Sequence, residues 1–227
     1  MIIVVKGLNA RQIKIVACIS MMFSHIGFIF WRYQLLWQIP GRIAFPLFAF
    51  MIANGARHSR NLWQYLARLL IFAVLIQYPY SIFLANGYLN ICFTLGLGLA
   101  AIIIWQSELP VAARLAGVLV MVLVAELLHM EYGWYGLMMI FSAHLFYTDW
   151  RKLAFSWFIL NIPYLADGYV ALLSHNQYPP VQGLCLLALP FVFLYNRQRG
   201  GNRWEFYAFY IGHLAFLYAL RRVLWGF

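Results

Sequence analysis

The 227-residue chain is 65% hydrophobic and only 10% charged, with a mean hydropathy of +0.77. That balance excludes a water-soluble globule, which needs more polar surface than these residues supply, and makes lipid the solvent. A net charge of +10 would point to nucleic acid in a soluble protein, but in a lipid-embedded chain Lys and Arg are topological signals, and no nucleic-acid partner is expected.

The basic start and first apolar run resemble a secretory signal. Phe30-Trp31-Arg32-Tyr33 offers no small-residue cleavage site, so the segment is expected to be retained. Apolar runs then recur along the whole chain, each expected to be long enough to cross a hydrocarbon layer as a helix with little or modest tilt. About nine spans are predicted: Ile13–Phe30, Ile39–Ala56, Tyr65–Ala85, Leu89–Trp105, Val111–His129, Trp134–Phe146, Leu153–Leu172, Val181–Tyr195 and Phe206–Leu220. The sixth is short and the last has a re-entrant alternative. The expected fold is an all-α, polytopic integral membrane bundle, a single domain over 1–227.

Orientation follows from the sixteen basic residues. With the N-terminus in the cytoplasm, twelve fall inside (Lys6, Arg11, Lys14, Arg57, Arg60, Arg68, Arg114, Arg151, Lys152, Arg197, Arg199, Arg203) and four outside (Arg32, Arg42, Arg221, Arg222). Trp31, Tyr33, Trp37, Tyr78, Tyr80, Tyr132 and Trp134 fall near the outer interface, where amphipathic rings prefer to sit. The location implied is a bacterial inner membrane. Cys18, Cys92 and Cys185 lie in apolar segments without metal-ligand spacing and read as packing residues; no metal is expected.

Ionisable groups at membrane depth are costly and are the first candidates for chemistry. His25, His144, His213 and Glu126 qualify, although each histidine alone is more simply a packing hydrogen bond. His25 stands apart because Lys14 precedes it by eleven residues, which returns the helix to within roughly 20° of the same face, ~16 Å nearer the cytoplasm. That separation is comparable to an extended pantetheine arm, so a coenzyme with its phosphates on Lys14 would present a thioester near His25; a snorkelling anchor is the plainer role for Lys14. Arg57-His58-Ser59-Arg60 sets two guanidiniums on one side if the helix continues, able to grip phosphate, although a cytoplasmic loop has the same appearance. In Gly41-Arg42-Ile43-Ala44-Phe45-Pro46, Arg42 stands at the outer mouth with a proline one turn inside that would break local hydrogen bonding and open a groove. Asn90 and Thr94 can bond across helices or to a ligand, and Asp167 is placed near the outer boundary in contact with solvent.

The run Arg11 through Lys14 to Ser24-His25-Ile26, the segment Gly41-Arg42-Ile43-Ala44-Phe45-Pro46-Leu47-Phe48-Ala49-Phe50, the segment Tyr132-Gly133-Trp134-Tyr135-Gly136, and Phe209-Tyr210-Ile211-Gly212-His213-Leu214 resemble the TraX family, in order and approximate spacing. These are membrane acetyltransferases of conjugative pilin. Lys14 with His25, followed by Arg57 and Arg60, also resembles the wider group of transmembrane acyltransferases. The resemblance implies His25 as catalytic base, Lys14, Arg57 and Arg60 as contacts of acetyl-CoA, and the N-terminal amine of a pilin subunit as acceptor. Arg42, Asn90, Thr94 and His213 are further candidates for substrate or oxyanion contact. Ser24 departs from the Asp-His that TraX relatives commonly carry, which leaves three readings: Glu126 assists His25, the histidine works alone, or activity is altered. Acetylation of an envelope glycan and a non-enzymatic transporter or assembly scaffold are the alternatives.

Overall fold

The computed structural model describes residues 7–30, 35–84, 87–173, 181–201 and 204–225; Lys6, Trp31, Arg32, Tyr33 and Arg203 lie outside them. In chain order come α1 (Ala10–Phe30), α2 (Leu35–Gly41), α3 (Ala44–His58), α4 (Leu62–Leu84), α5 (Ile91–Trp105), α6 (Val111–Leu127), α7 (Gly133–Leu145) and α8 (Trp150–Leu173). A 3₁₀ segment (Gln182–Ala188) then runs into α9 (Leu189–Phe193), and α10 (Trp204–Trp225) follows. The described residues form no strand, only the isolated bridges Leu8–Tyr195 and Leu89–Met130. Ala10–Phe30, Trp37–His58 and Leu62–Ile82 are long and apolar enough to cross a membrane. The 13 residues of α7 reach only ~20 Å, short of a hydrocarbon core.

Several helix starts are fixed by side chains that satisfy the orphan N–H groups of the first turn. Asn9 and Gln12 cap α1 reciprocally: Gln12 N–H donates to Asn9 Oδ1 and Asn9 N–H to Gln12 Oε1, both at 2.9 Å. Asn61 caps α4 through Gln64 N–H at 2.9 Å, and its carbonyl accepts from Ser59 Oγ. α3 ends at His58. The helix therefore does not continue through Arg60, and Arg57 and Arg60 are not presented from one helical face. Glu126 accepts Trp134 N–H at 2.6 Å at the start of α7, so that carboxylate is taken up in a helix start.

Asp149 does the same for α8, accepting from the Arg151 and Lys152 amides at 3.1 and 3.2 Å. The Lys152 amide bond, aided by the Lys152 ammonium, holds the Asp149 carboxyl below its usual range. A lowered folded pKa gives a contribution that is fully present above the unfolded carboxylate range and is lost as pH falls through the folded value. Asp149→Ala is expected to lower the thermal midpoint in detergent at pH 7 by about 2–4 °C, and Asp149→Asn, which keeps an acceptor, by less. Equal losses in the two variants would show that the cap is not the cause.

The chain divides into two compact units, Met1–Phe48 with Asn161–His213, and Ala49–Leu160 with Leu214–Phe227. In the second unit α5 packs among α4, α6 and α7. Small residues let the backbones approach. A Cβ on Gly96 would meet Leu70 of α4 at 2.8 Å, one on Gly98 would meet Ile140 of α7 at 2.6 Å, and one on Gly117 of α6 would meet Ile104 at 2.7 Å. Asn90, fully buried, caps α5 through Cys92 N–H and donates to Ala73 O and Gln77 Oε1 at 2.8 and 2.7 Å, while Thr94 donates to the Glu131 carbonyl. Both polar side chains are engaged inside the helix junction. Tyr80 is fully buried and donates to Glu131 Oε2 at 3.0 Å, so it leaves the predicted interfacial belt; Tyr78, 76% exposed, stays on the surface.

The first unit joins sequence-distant segments. Leu8 N–H donates to Leu194 O at 2.7 Å, Leu8 O accepts from Asn196 N–H at 2.9 Å, and Ala10 N–H donates to Gln198 O at 2.8 Å, so residues 194–198 lie against the entry to α1. α1 and α2 form an antiparallel pair. Gly27 faces Trp37, Gly41 faces Ser24, and Ser20 donates to Pro40 O. A turn at Arg42 and Ile43 separates α2 from α3, so the predicted second span is interrupted there. Pro46 falls in the first turn of α3, and the i−4 bond it cannot make would go to Arg42, so the proline coincides with this interruption.

Candidate active site

His25 and His213 meet in the first unit, their Nδ1 and Nε2 atoms 2.9 Å apart. The ring centroids are 5.1 Å apart with planes within 9°. Two imidazoles in 2.9 Å contact reach such a centroid separation only when laid edge to edge, so this is an in-plane hydrogen bond and not a face-to-face stack. His213 is 3% exposed and His25 partly buried. Residues on α10 fix the His213 ring: Phe209 lies parallel at 4.9 Å, Tyr210 edge-on at 5.4 Å, and the Phe209 carbonyl accepts from His213 Nδ1 at 2.9 Å.

The same face of α1 meets α10 further down. Arg11 pairs with Glu205 at 2.9 Å, and Lys14 Nζ lies 5.0 Å from the Phe206 ring centroid. The predicted common face of Lys14 and His25 is therefore the face turned to α10, and the two helices run parallel along it. Arg199 adds positive charge beside Lys14, leaving the start of α1 basic despite Glu205.

Beside the pair, a Cβ on Gly41 would lie 2.6 Å from the Ser24 Cβ, which sets the turn bearing Arg42 against the residue preceding His25. The Arg42 guanidinium donates to Gln182 Oε1 at 3.1 Å and Gln38 Oε1 at 3.2 Å, and its Nε is buried without a partner. Two amide oxygens hold the group in place without neutralising it, so it can still stabilise an anion. Gln38 and Gln182 carried no sequence signal beyond polarity in apolar runs.

Arg57, in the second unit, donates to the His144 carbonyl at 2.9 Å at the end of α7 and lies over the Tyr147 ring at 4.6 Å. His144 Nε2 is 3.4 Å from Gln106 Nε2. Arg60, past the end of α3, is exposed, and so is Asp167 on α8.

These features define a helical protein with segments able to cross a membrane and a paired-histidine site on its first helix. The chain belongs to the TraX family: the TraX protein profile matches residues 9–221. It is also similar to the probable fimbrial assembly protein FimC, serogroup H1, of Dichelobacter nodosus, with 29% identity over 241 residues, covering 95% of this chain and 97% of the relative. No solved structure matches.

Proposed function

We propose that this protein is a multi-pass inner-membrane acetyltransferase, N-terminus in the cytoplasm and about nine spans, that moves acetyl from cytosolic acetyl-CoA to the N-terminal amine of a pilin subunit. The observation that carries the reading is His25, in a TraX chain, on the face of α1 that bears Lys14 and in hydrogen-bond contact with a second imidazole. The basic start of α1 suits the coenzyme phosphates, with Lys14 as their contact; Arg57 and Arg60 are proposed as further contacts on family resemblance alone. The neutral amine attacks the thioester carbonyl, the new C–N bond forms and the C–S bond breaks. His25 takes the amine proton and returns it to the departing thiolate, giving amide and free coenzyme A. Arg42 stabilises the carbonyl oxygen as it becomes negative.

Mass spectrometry of the pilin N-terminus from cells with and without this protein tests the function. An acetyl group present only with the protein is expected; an unmodified terminus in both overturns the reading. The name of the fimbrial relative favours one other outcome, an assembly role, which would appear as lost pili with no change of pilin mass. Reporters fused after Arg60 and Arg199 should be active in the cytosol, and a periplasmic readout from either refutes the orientation.

A further inference from the structure

We infer that His213 is a positioning residue that fixes the tautomer of His25, leaving His25 Nε2 as a bare lone pair facing the substrates. This rests on the acetyl-transfer reading for its chemistry, but the hydrogen-bond order stands on geometry. A backbone carbonyl only accepts, so the 2.9 Å contact with Phe209 O requires the proton of His213 on Nδ1. In a neutral ring Nε2 then carries a lone pair. His25 Nδ1, 2.9 Å from that atom, must be the donor, and the remaining nitrogen of His25, Nε2, is left unprotonated. Neutral rings are the cheaper state in an apolar surrounding, and the Arg11–Glu205 and Lys152–Asp149 ion pairs lie elsewhere on the chain.

The order matters because a free imidazole prefers the opposite tautomer, with the proton on Nε2, which cannot act as a base there. His213 thus supplies what a carboxylate supplies in a triad: an acceptor behind the base that holds its ring and its tautomer. Ser24, packed against Gly41, stands at a point of close helix approach beside this pair.

The atom required of His213 is an acceptor at the Nε2 position, and this separates two substitutions. Gln can place Oε1 near that point. Phe keeps an aromatic ring for Phe209 and Tyr210 to pack on but offers no acceptor. His213→Phe is expected to lower kcat for acetyl transfer about 100-fold with KM for acetyl-CoA unchanged, and His213→Gln to stay within about 10-fold of the parent. Nitrogen NMR of the detergent-solubilised, ¹⁵N-histidine-labelled protein reads the tautomer directly. His25 should show Nδ1–H in the parent and in His213→Gln, and shift toward Nε2–H in His213→Phe. An unshifted His25 in His213→Phe, an unchanged kcat in that variant, or a Gln variant as impaired as Phe each overturns the assignment. Wild-type acetylation by His25→Ala would instead exclude His25 as the base, an unmodified pilin terminus would overturn the acetyl-transfer reading, and in either case the spectra would still decide whether His213 sets the tautomer.

Discussion

His25→Ala should leave acetyl-CoA bound and end its transfer. In the proposed mechanism the imidazole acts on the proton in flight, so its loss is expected to lower turnover by about 10²–10⁴-fold, with the dissociation constant for acetyl-CoA moving little. Lys14→Ala should do the reverse, weakening coenzyme binding with a smaller effect on saturated turnover, because a charge near the phosphates holds the donor without entering the chemistry. The two variants thus split Kd from kcat in opposite senses. Near-normal acetylation by a well-folded His25→Ala protein excludes His25 as the base, and a normal Kd in Lys14→Ala returns that lysine to the role of an interfacial anchor.

Gly41→Ala is expected to cost both stability and activity, although it adds one methyl group. The new Cβ would stand 2.6 Å from the Ser24 Cβ and 2.9 Å from its Cα, and the backbone there cannot move aside without parting α1 from α2. Overpacking of this kind costs about 1–3 kcal/mol, and the displacement falls one residue from His25 and one from Arg42. Gly212→Ala is the matched control: it adjoins His213, yet its Cβ meets nothing within 4 Å. There the gain in helix propensity should raise stability slightly, by up to about 1 kcal/mol. Detergent melting curves and acetylation rates for the pair check this, and a neutral Gly41→Ala would mean that the α1–α2 approach can relax.

Apolar periodicity located each helix-forming segment to within a few residues because hydrophobic runs and helix lengths share one physical cause, the burial of apolar surface. What it missed were interruptions inside the spans: the turn at Arg42 and Ile43, and the 3₁₀ path of Gln182–Ala188. The common face of Lys14 and His25 was legible, since an eleven-residue offset in one helix fixes relative direction. The partner of His25 was not. Nothing local to Ser24-His25 shows that a ring 188 residues away will lie in its plane. For Asn90 and Thr94 a bond across the helix junction is the plainer reading of the sequence, with a ligand as the alternative, and the contacts to Ala73, Gln77 and Glu131 engage both in the junction.

The first unit is made of two stretches separated by the residues of the second, Met1–Phe48 and Asn161–His213. A ribosome therefore delivers α1 long before anything exists to receive its polar face. At about 5–20 residues per second, His25 waits roughly 10–40 s for His213, and Arg11 waits as long for Glu205. During synthesis the early helix must shelter a lysine, an arginine and a histidine without their eventual neighbours, which leaves it dependent on lipid and on the α2 hairpin until the last quarter of the chain arrives. Nascent chains that stop short of α10 carry His25 without His213, so the histidine pair forms only once α10 has been made.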